Sequence, residues 1–157
     1  MYQDAETQFS SSQAVTTDAV GTNVIDLSLD RSIGNGEPLC VVFTVIVAAD
    51  QGSGDEDYTF DLEYASNAAQ STGRQLIGRR IFESGTPTAP AQNADLLIAG
   101  FTFFIPLPPT KLSESERFLG IRYDTAGTTP IITMSASLMP QSMVDATNDY
   151  ASGYSIT

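Results

Sequence analysis

The sequence predicts an all-β protein: a two-sheet antiparallel sandwich, jelly-roll-like, of about eight strands. Three observations predict it. Apolar residues recur with a period of two along much of the chain. Glycine and proline punctuate the gaps between these runs, as in "SIGNGEP", "SGTPTAPAQN", "PLPPTKLSESE" and "DTAGTTP". No segment carries the 3.6-residue pattern of an amphipathic helix.

Taken in order, Gln13 to Thr17 is the weakest strand candidate. "NVIDLSLD" places Ile25, Leu27 and Leu29 on one face and Asp26, Ser28 and Asp30 on the other. "PLCVVFTVIVAA" is apolar on both faces, which suits a central strand or one that also meets a partner. It contains Cys40, the only cysteine, so no intrachain disulfide can form and the thiol reads as a small buried hydrophobe. "DYTFDLEYA" turns Tyr58, Phe60, Leu62 and Tyr64 inward and Thr59, Asp61 and Glu63 toward water. "RQLIGRRIF", "ADLLIAGFTFFIPL", "ERFLGIRYD" and "PIITMSASLM" supply four more strands. Pro106, Pro108 and Pro109 end the second of these because proline cannot donate to a ladder. Ala65 to Gly73 reads as polar loop.

The 157 residues fit one domain. The strand pattern assigns residues 13–140 to the sandwich, 1–12 to an N-terminal arm and 141–157 to a C-terminal tail. The two ends are polar but keep large aromatics at Tyr2, Phe9, Tyr150 and Tyr154. Such side chains stabilise only when buried, so the arms are expected to pack on a neighbouring subunit. The opening "MYQDAETQFSSSQ" is acidic and polar, the reverse of a signal peptide, and no apolar run approaches a membrane span. The chain is expected to work without passing through a secretion pathway.

Nineteen acids against seven basic residues give a net charge of −12. That sign repels phosphate backbones and anionic lipids, so neither nucleic acid nor membrane is expected as a partner. Four of the acids fall in "DQGSGDED", Asp50 to Asp57. Two readings of this stretch stand side by side. As a hairpin turn, Gly52 and Gly54 supply positive φ between two strands. As a calcium loop, Asp50, Asp55 and Asp57 would ligate, with a backbone carbonyl or a second loop completing the shell. The order of an EF-hand is absent, and the turn explains the glycines, the length and the position.

Basic residues are absent between Arg31 and Arg74; then Arg74, Arg79 and Arg80 arrive together. They either pair with acids of "DYTFDLEYA" across a strand boundary or form a patch that meets an acidic neighbour. Arg117 and Arg122, in "RFLGIRY", carry the same two readings.

The chain has no histidine, which removes Ser-His-Asp and Cys-His catalysis and most zinc sites. Its one lysine, Lys111, lies in a Pro/Ser/Glu-rich stretch, and no phosphate-binding glycine loop is present. No catalytic residue and no cofactor is assigned, and the chain is expected to be no enzyme. Paired carboxylates at glycosidase spacing have almost no specificity among 19 acids. A sugar-binding role would draw on Tyr58, Tyr64 and Tyr123, since tryptophan is absent.

One likeness covers most of the chain. "TFDLEYASNAA", "ADLLIAGFTFFIPLPP", "ERFLGIRYDTAGTTP" and "ITMSASLMPQ" follow one another as they do in small phage virion proteins. The starts "MYQDAETQFSSSQAVT" and "GTNVIDLSLDRSIGNGEPL" belong to the same series. The chain resembles the capsid cement (decoration) protein family of the Bordetella short-tailed phage. The resemblance implies a jelly-roll-like fold, self-association as a dimer or trimer, and binding of the major capsid protein across joints between its subunits. It also implies a place on the outside of the capsid after synthesis in the host cytoplasm. The interface candidates are then Tyr2, Phe9, Arg79, Arg80, Arg117, Arg122, Tyr150 and Tyr154. Two docking roles remain open for the net charge: attraction to a basic capsid surface, or an outward face that repels other particles. The rival function is a glycan-binding or fibre-associated module, because jelly rolls also serve as lectins.

Overall fold

The computed structural model describes residues 5–27, 36–83, 96–108 and 117–147. Among them, a 3-10 turn at Ala5–Thr7 precedes nine strands and one helix. The strands are β1 (Gln8–Val15), β2 (Ala19–Val20), β3 (Ile25–Asp26), β4 (Leu39–Val47), β5 (Asp57–Ala65), β6 (Gln75–Glu83), β7 (Thr102–Leu107), β8 (Phe118–Ala126) and β9 (Ile132–Pro140). The helix, α1, spans Gln141–Thr147.

Two antiparallel sheets result. One has four strands in the order β1-β9-β4-β7; the other has five, β2-β8-β5-β6 with β3 also on β8. β2 and β3 run along the same partner strand, and the amide of Gly21 between them still donates to the Ile121 carbonyl at 2.9 Å. Counted as one interrupted strand, they complete a nested set of pairs: β1 with β9, β2/β3 with β8, β4 with β7, and β5 with β6. A long hairpin folded in this way and rolled into two sheets is the jelly roll. The all-β sandwich read from the sequence is the fold observed.

The core lies between the sheets. Period-two alternation delivers Val41, Phe43 and Val45 from β4, and Tyr58, Phe60, Leu62 and Tyr64 from β5. Phe43 stacks on Phe103 with centroids 5.0 Å apart, and Phe60 meets both edge-on at 5.8 and 5.0 Å. Tyr123 closes the group against Phe60 at 5.9 Å and shares a 2.7 Å hydrogen bond with Ser10 Oγ. Burial raises the Tyr123 hydroxyl pKa well above its ordinary value.

Five expectations need correction. β1 begins at Gln8, so residues 8–12 belong to the sandwich and not to an arm. Phe9, read as an interface aromatic, is fully buried in the core, and its carbonyl accepts from the Asn23 amide at 2.9 Å. The tail's first seven residues form α1, whose Val144 packs on Cys40, Val42, Phe104 and Met139. The helix therefore covers part of the second apolar face of β4 with the chain's own residues. Tyr58, Tyr64 and Tyr123 are all buried, so none is placed to stack on a sugar.

The acidic stretch Asp50 to Asp57 is also not a hairpin. β4 and β5 lie in different sheets, so it turns the corner between them. Gly54 takes φ 70° as expected, whereas Gly52 is outside the positive-φ set. The fully buried Glu56 organises the corner, accepting the amides of Ser53 and Asp55 at 3.2 Å each. Tyr58 Oη donates to the Asp50 carbonyl at 2.6 Å and accepts from the Ile131 amide at 3.3 Å. Burial, opposed by these hydrogen bonds, pushes the Tyr58 pKa up to about 12. Gly127 closes the corner from the next loop. Its φ is 108°, and a Cβ there would lie 2.6 Å from the Asp55 carbonyl oxygen.

Candidate functional site

The two sheets present contrasting outer faces. On the five-stranded sheet, alternation sends Thr59, Asp61 and Glu63 of β5 outward as expected, but Asp61 and Glu63 are only 1% and 2% exposed. Arginines cover them. Asp61 lies opposite Arg79 in the β5–β6 register and is gripped by both Nε at 2.7 Å and Nη2 at 2.6 Å. A bulge between Leu62 and Glu63 displaces the next pairing. Glu63 is instead reached by Arg74 from the loop before β6, with Nε at 2.9 Å and Nη2 at 2.5 Å. Arg122 of β8 approaches the same carboxylate at 3.5 Å and donates to the Gln70 carbonyl at 3.0 Å. These carboxylate hydrogen bonds raise the pKa values of Arg74 and Arg79 further, so both guanidiniums stay charged. The cross-strand reading of the arginine group describes Arg79, and Arg74 pairs with the same strand from the adjoining loop.

Over this lattice lies the loop Ser66–Thr72. Gln70 holds φ 52° and is fully buried, its amide pressed on Gly120 where any Cβ would fall 1.5 Å from Nε2. Gly120 is thus the close approach that its place in "RFLGIRY" suggests, and the approaching group is Gln70. At the sheet's far end, Arg117 pairs with Asp26, its Nε donating at 2.6 Å, and lies over the Phe118 ring at 5.1 Å. Arg80 stands on the edge strand β6 opposite Phe60 in register and is exposed, with no ion pair among the described residues.

Beside the lattice, Asp18, Asp57, Glu83 and Asp124 line an open depression of about 300 Å³ with Thr59 and Ile81. Desolvation, then the charges of Asp18 and Asp61, hold the Asp124 carboxyl above the ordinary aspartate range. Among the described residues no three acidic or cysteine side chains converge as metal ligands. Asp50, Asp55 and Asp57 do not point to a common centre. Asp50 caps the Gly52 amide at 2.9 Å, Asp55 binds the Thr128 amide and hydroxyl at 3.3 and 2.8 Å, and Asp57 faces the depression.

The four-stranded sheet is different in kind. β1, β4, β7 and β9 contain no Asp, Glu, Lys or Arg. Near α1 the outer face of β4 is covered, and mid-strand Thr44 meets Thr102 at 3.4 Å. At the end of β4 away from the helix, Ile46 and Val47 are 42% and 55% exposed. The backbone of Val45 pairs with Gly100 and Phe101 on one side, and Val47 pairs with Thr133 on the other. Leu96, Ile98 and Ile131, each 45–60% exposed, sit on these flanking segments.

Of the residues singled out from sequence, Tyr2, Tyr150 and Tyr154 lie outside the described residues. Phe9 is core, Arg79, Arg117 and Arg122 are engaged within the fold, and Arg80 is open. Sequence reasoning read the strand holding Ile46 and Val47 as one that could also meet a partner, but singled out none of the exposed aliphatics by residue. The signal available was the apolar stretch "TVIVAA", which continues past the point where both faces can be covered.

The strand order and the carboxylate–guanidinium lattice define a jelly-roll β-sandwich protein in which Asp61 and Glu63 are used to hold its own strands. The chain belongs to the Bbp16 family, whose model matches residues 9–138, from β1 to β9. Bbp16 is a Bordetella phage protein. No curated protein matches the chain.

Proposed function

We propose that this protein is a non-enzymatic structural component of a phage head. It binds the outside of the capsid lattice and stabilises joints between major capsid protein subunits, acting as a homo-oligomer. The observation that carries the reading is membership of a Bordetella phage family across both sheets of the fold. Two further features support it. Two of the carboxylates that alternation would present to solvent, Asp61 and Glu63, are engaged by arginines, which suits a scaffold better than acid–base chemistry. The surface keeps grouped aliphatic side chains that a partner would bury.

The mechanism is additive. A protein bridging a joint adds binding free energy that must be lost before the joint opens against packed genome. One contact of about 1.4 kcal/mol shifts that equilibrium only tenfold. Many symmetric copies resist together, because each bridge holds its neighbours within reach of rebinding.

Quantitative mass spectrometry of purified particles tests the proposal. A copy number near that of the major capsid protein is expected. A few copies per hundred capsid subunits would move the chain to the tail or fibre and favour glycan binding. Absence from the particle would refute a virion role.

A further inference from the structure

The net charge left two docking modes open: attraction to a basic capsid surface, or an outward acidic face. Charge is not spread evenly over the fold. Among the described residues, every charged residue in a strand belongs to the five-stranded sheet: Asp26, Asp57, Asp61, Glu63, Arg79, Arg80, Glu83, Arg122 and Asp124. The four-stranded sheet has none. An antiparallel sheet with one solvated face ordinarily carries polar and charged side chains there, and nothing in the packing of Thr44, Thr102 or Thr133 forbids a charge. Covering the five-stranded face would strip water from Asp57, Glu83 and Asp124, and Asp124 already suffers from desolvation. Covering the four-stranded face strips water from neutral side chains of its strands and from no carboxylate or guanidinium on them. Interface centres are depleted in charge for this reason.

We infer that the protein docks through the uncharged four-stranded sheet, at the end of β4 where Ile46 and Val47 are exposed beside the flanking Leu96, Ile98 and Ile131, onto a neutral, apolar patch of the major capsid protein. The acidic five-stranded sheet then faces away from the lattice. Charge matching selects this occupant. A basic partner surface would find no carboxylate on these strands, so its own desolvation would go uncompensated. The inference rests on the capsid-binding reading and specifies its face and its chemistry.

The test uses the full chain and capsids assembled without it. Binding is measured by co-sedimentation for wild type, Val47→Asp, Ile98→Asp and Ile81→Asp. Ile81 is the matched control, an exposed aliphatic (48%) on the acidic sheet. All three substituted positions are solvent-facing, and circular dichroism checks the fold of each variant. Failure of wild type to bind would refute the proposed function itself. If wild type binds, V47D and I98D should each lose at least about tenfold in affinity, with I81D unchanged. Wild-type affinity should stay within about twofold between roughly 50 and 500 mM salt, because no ion pair is screened. Loss by I81D equal to that of V47D, retention by all variants, or a steep fall with salt would each overturn the inference. So would V47D that binds capsids normally but sediments as a smaller oligomer, since that assigns the face to self-association.

Discussion

The two sheets share one aromatic core and fix their strands by different means. In the four-stranded sheet, β4 is held between β9 and β7, and its register is set by what it buries: Val41, Phe43 and Val45 inward, Cys40 and Val42 under the helix. A slip of one residue would turn that whole set outward, so no charge is required to specify pairing. In the five-stranded sheet, β6 is an edge strand with few buried side chains, Phe82 chief among them. Burial says little about where it should sit. Arg79 opposite Asp61 and Arg74 on Glu63 supply the missing specification. Ion pairs occur where hydrophobic register is weakest.

The comparison can be broken most severely where the sheets meet. Phe43→Ala should cost about 3–5 kcal/mol, because it opens a cavity against Phe60, Phe103 and Tyr123 at once. Urea unfolding measures it, and a loss below about 1 kcal/mol would mean the sheets are not packed through this cluster. Gly120→Ala should cost about 1–3 kcal/mol by overpacking against Gln70. Gln70→Ala in the same chain should recover most of that, a coupling that a double-mutant cycle detects.

Arg79→Ala should cost about 1–2 kcal/mol, since it leaves the buried Asp61 carboxylate without two hydrogen bonds while water partly screens the exposed guanidinium's place. Hydrogen exchange should show the loss concentrated in β6. An equal loss of protection in β4 would contradict the separate specification of the two sheets. Asp124→Asn sharpens the point by acting in the opposite direction. The folded pKa of Asp124 lies above its ordinary value, so the native state holds this proton more tightly than the unfolded chain does. The ionised residue therefore opposes folding above that folded pKa, and the penalty disappears as pH falls through it. The substitution should give a small gain in melting temperature at pH 7 and none in acid. On the uncharged sheet, Thr133→Lys should change stability by no more than about 0.5 kcal/mol. A larger loss would mean that the absence of charge there serves the fold.

Much of this fold is legible as alternation. "DYTFDLEYA" coincides with β5 residue for residue, and its inward set is the observed core set. Legibility ends where a partner distant in sequence decides the outcome. "QFSSSQAV" has no apolar alternation to announce β1, and Phe9 is buried because β9 and Asn23 hold its strand. Asp61 and Glu63 read as outward-facing with an arginine pairing left open, because a sequence shows which face a carboxylate takes but not which arginine covers it. α1 is seven residues long, too short for a 3.6-residue period to register before Val144 makes it useful. The exposed aliphatics were hidden for the converse reason: an apolar run gives no sign of where burial stops.

The nesting of strand pairs has a consequence in time. β5 and β6 are neighbours in sequence and can close as soon as both exist, but each pair outward from them spans more chain, and β1 must find β9 more than a hundred residues later. Closing such separations pays loop entropy before any contact returns it, which places this topology among slow folders, on the order of milliseconds to seconds. Synthesis proceeds at roughly 5–20 residues per second, so β1 waits several seconds for its partner. During that interval Phe9 and the core-facing side of β4 are uncovered. The segment that makes the fewest demands on the eye in the sequence, polar and nearly featureless, is well suited to that wait.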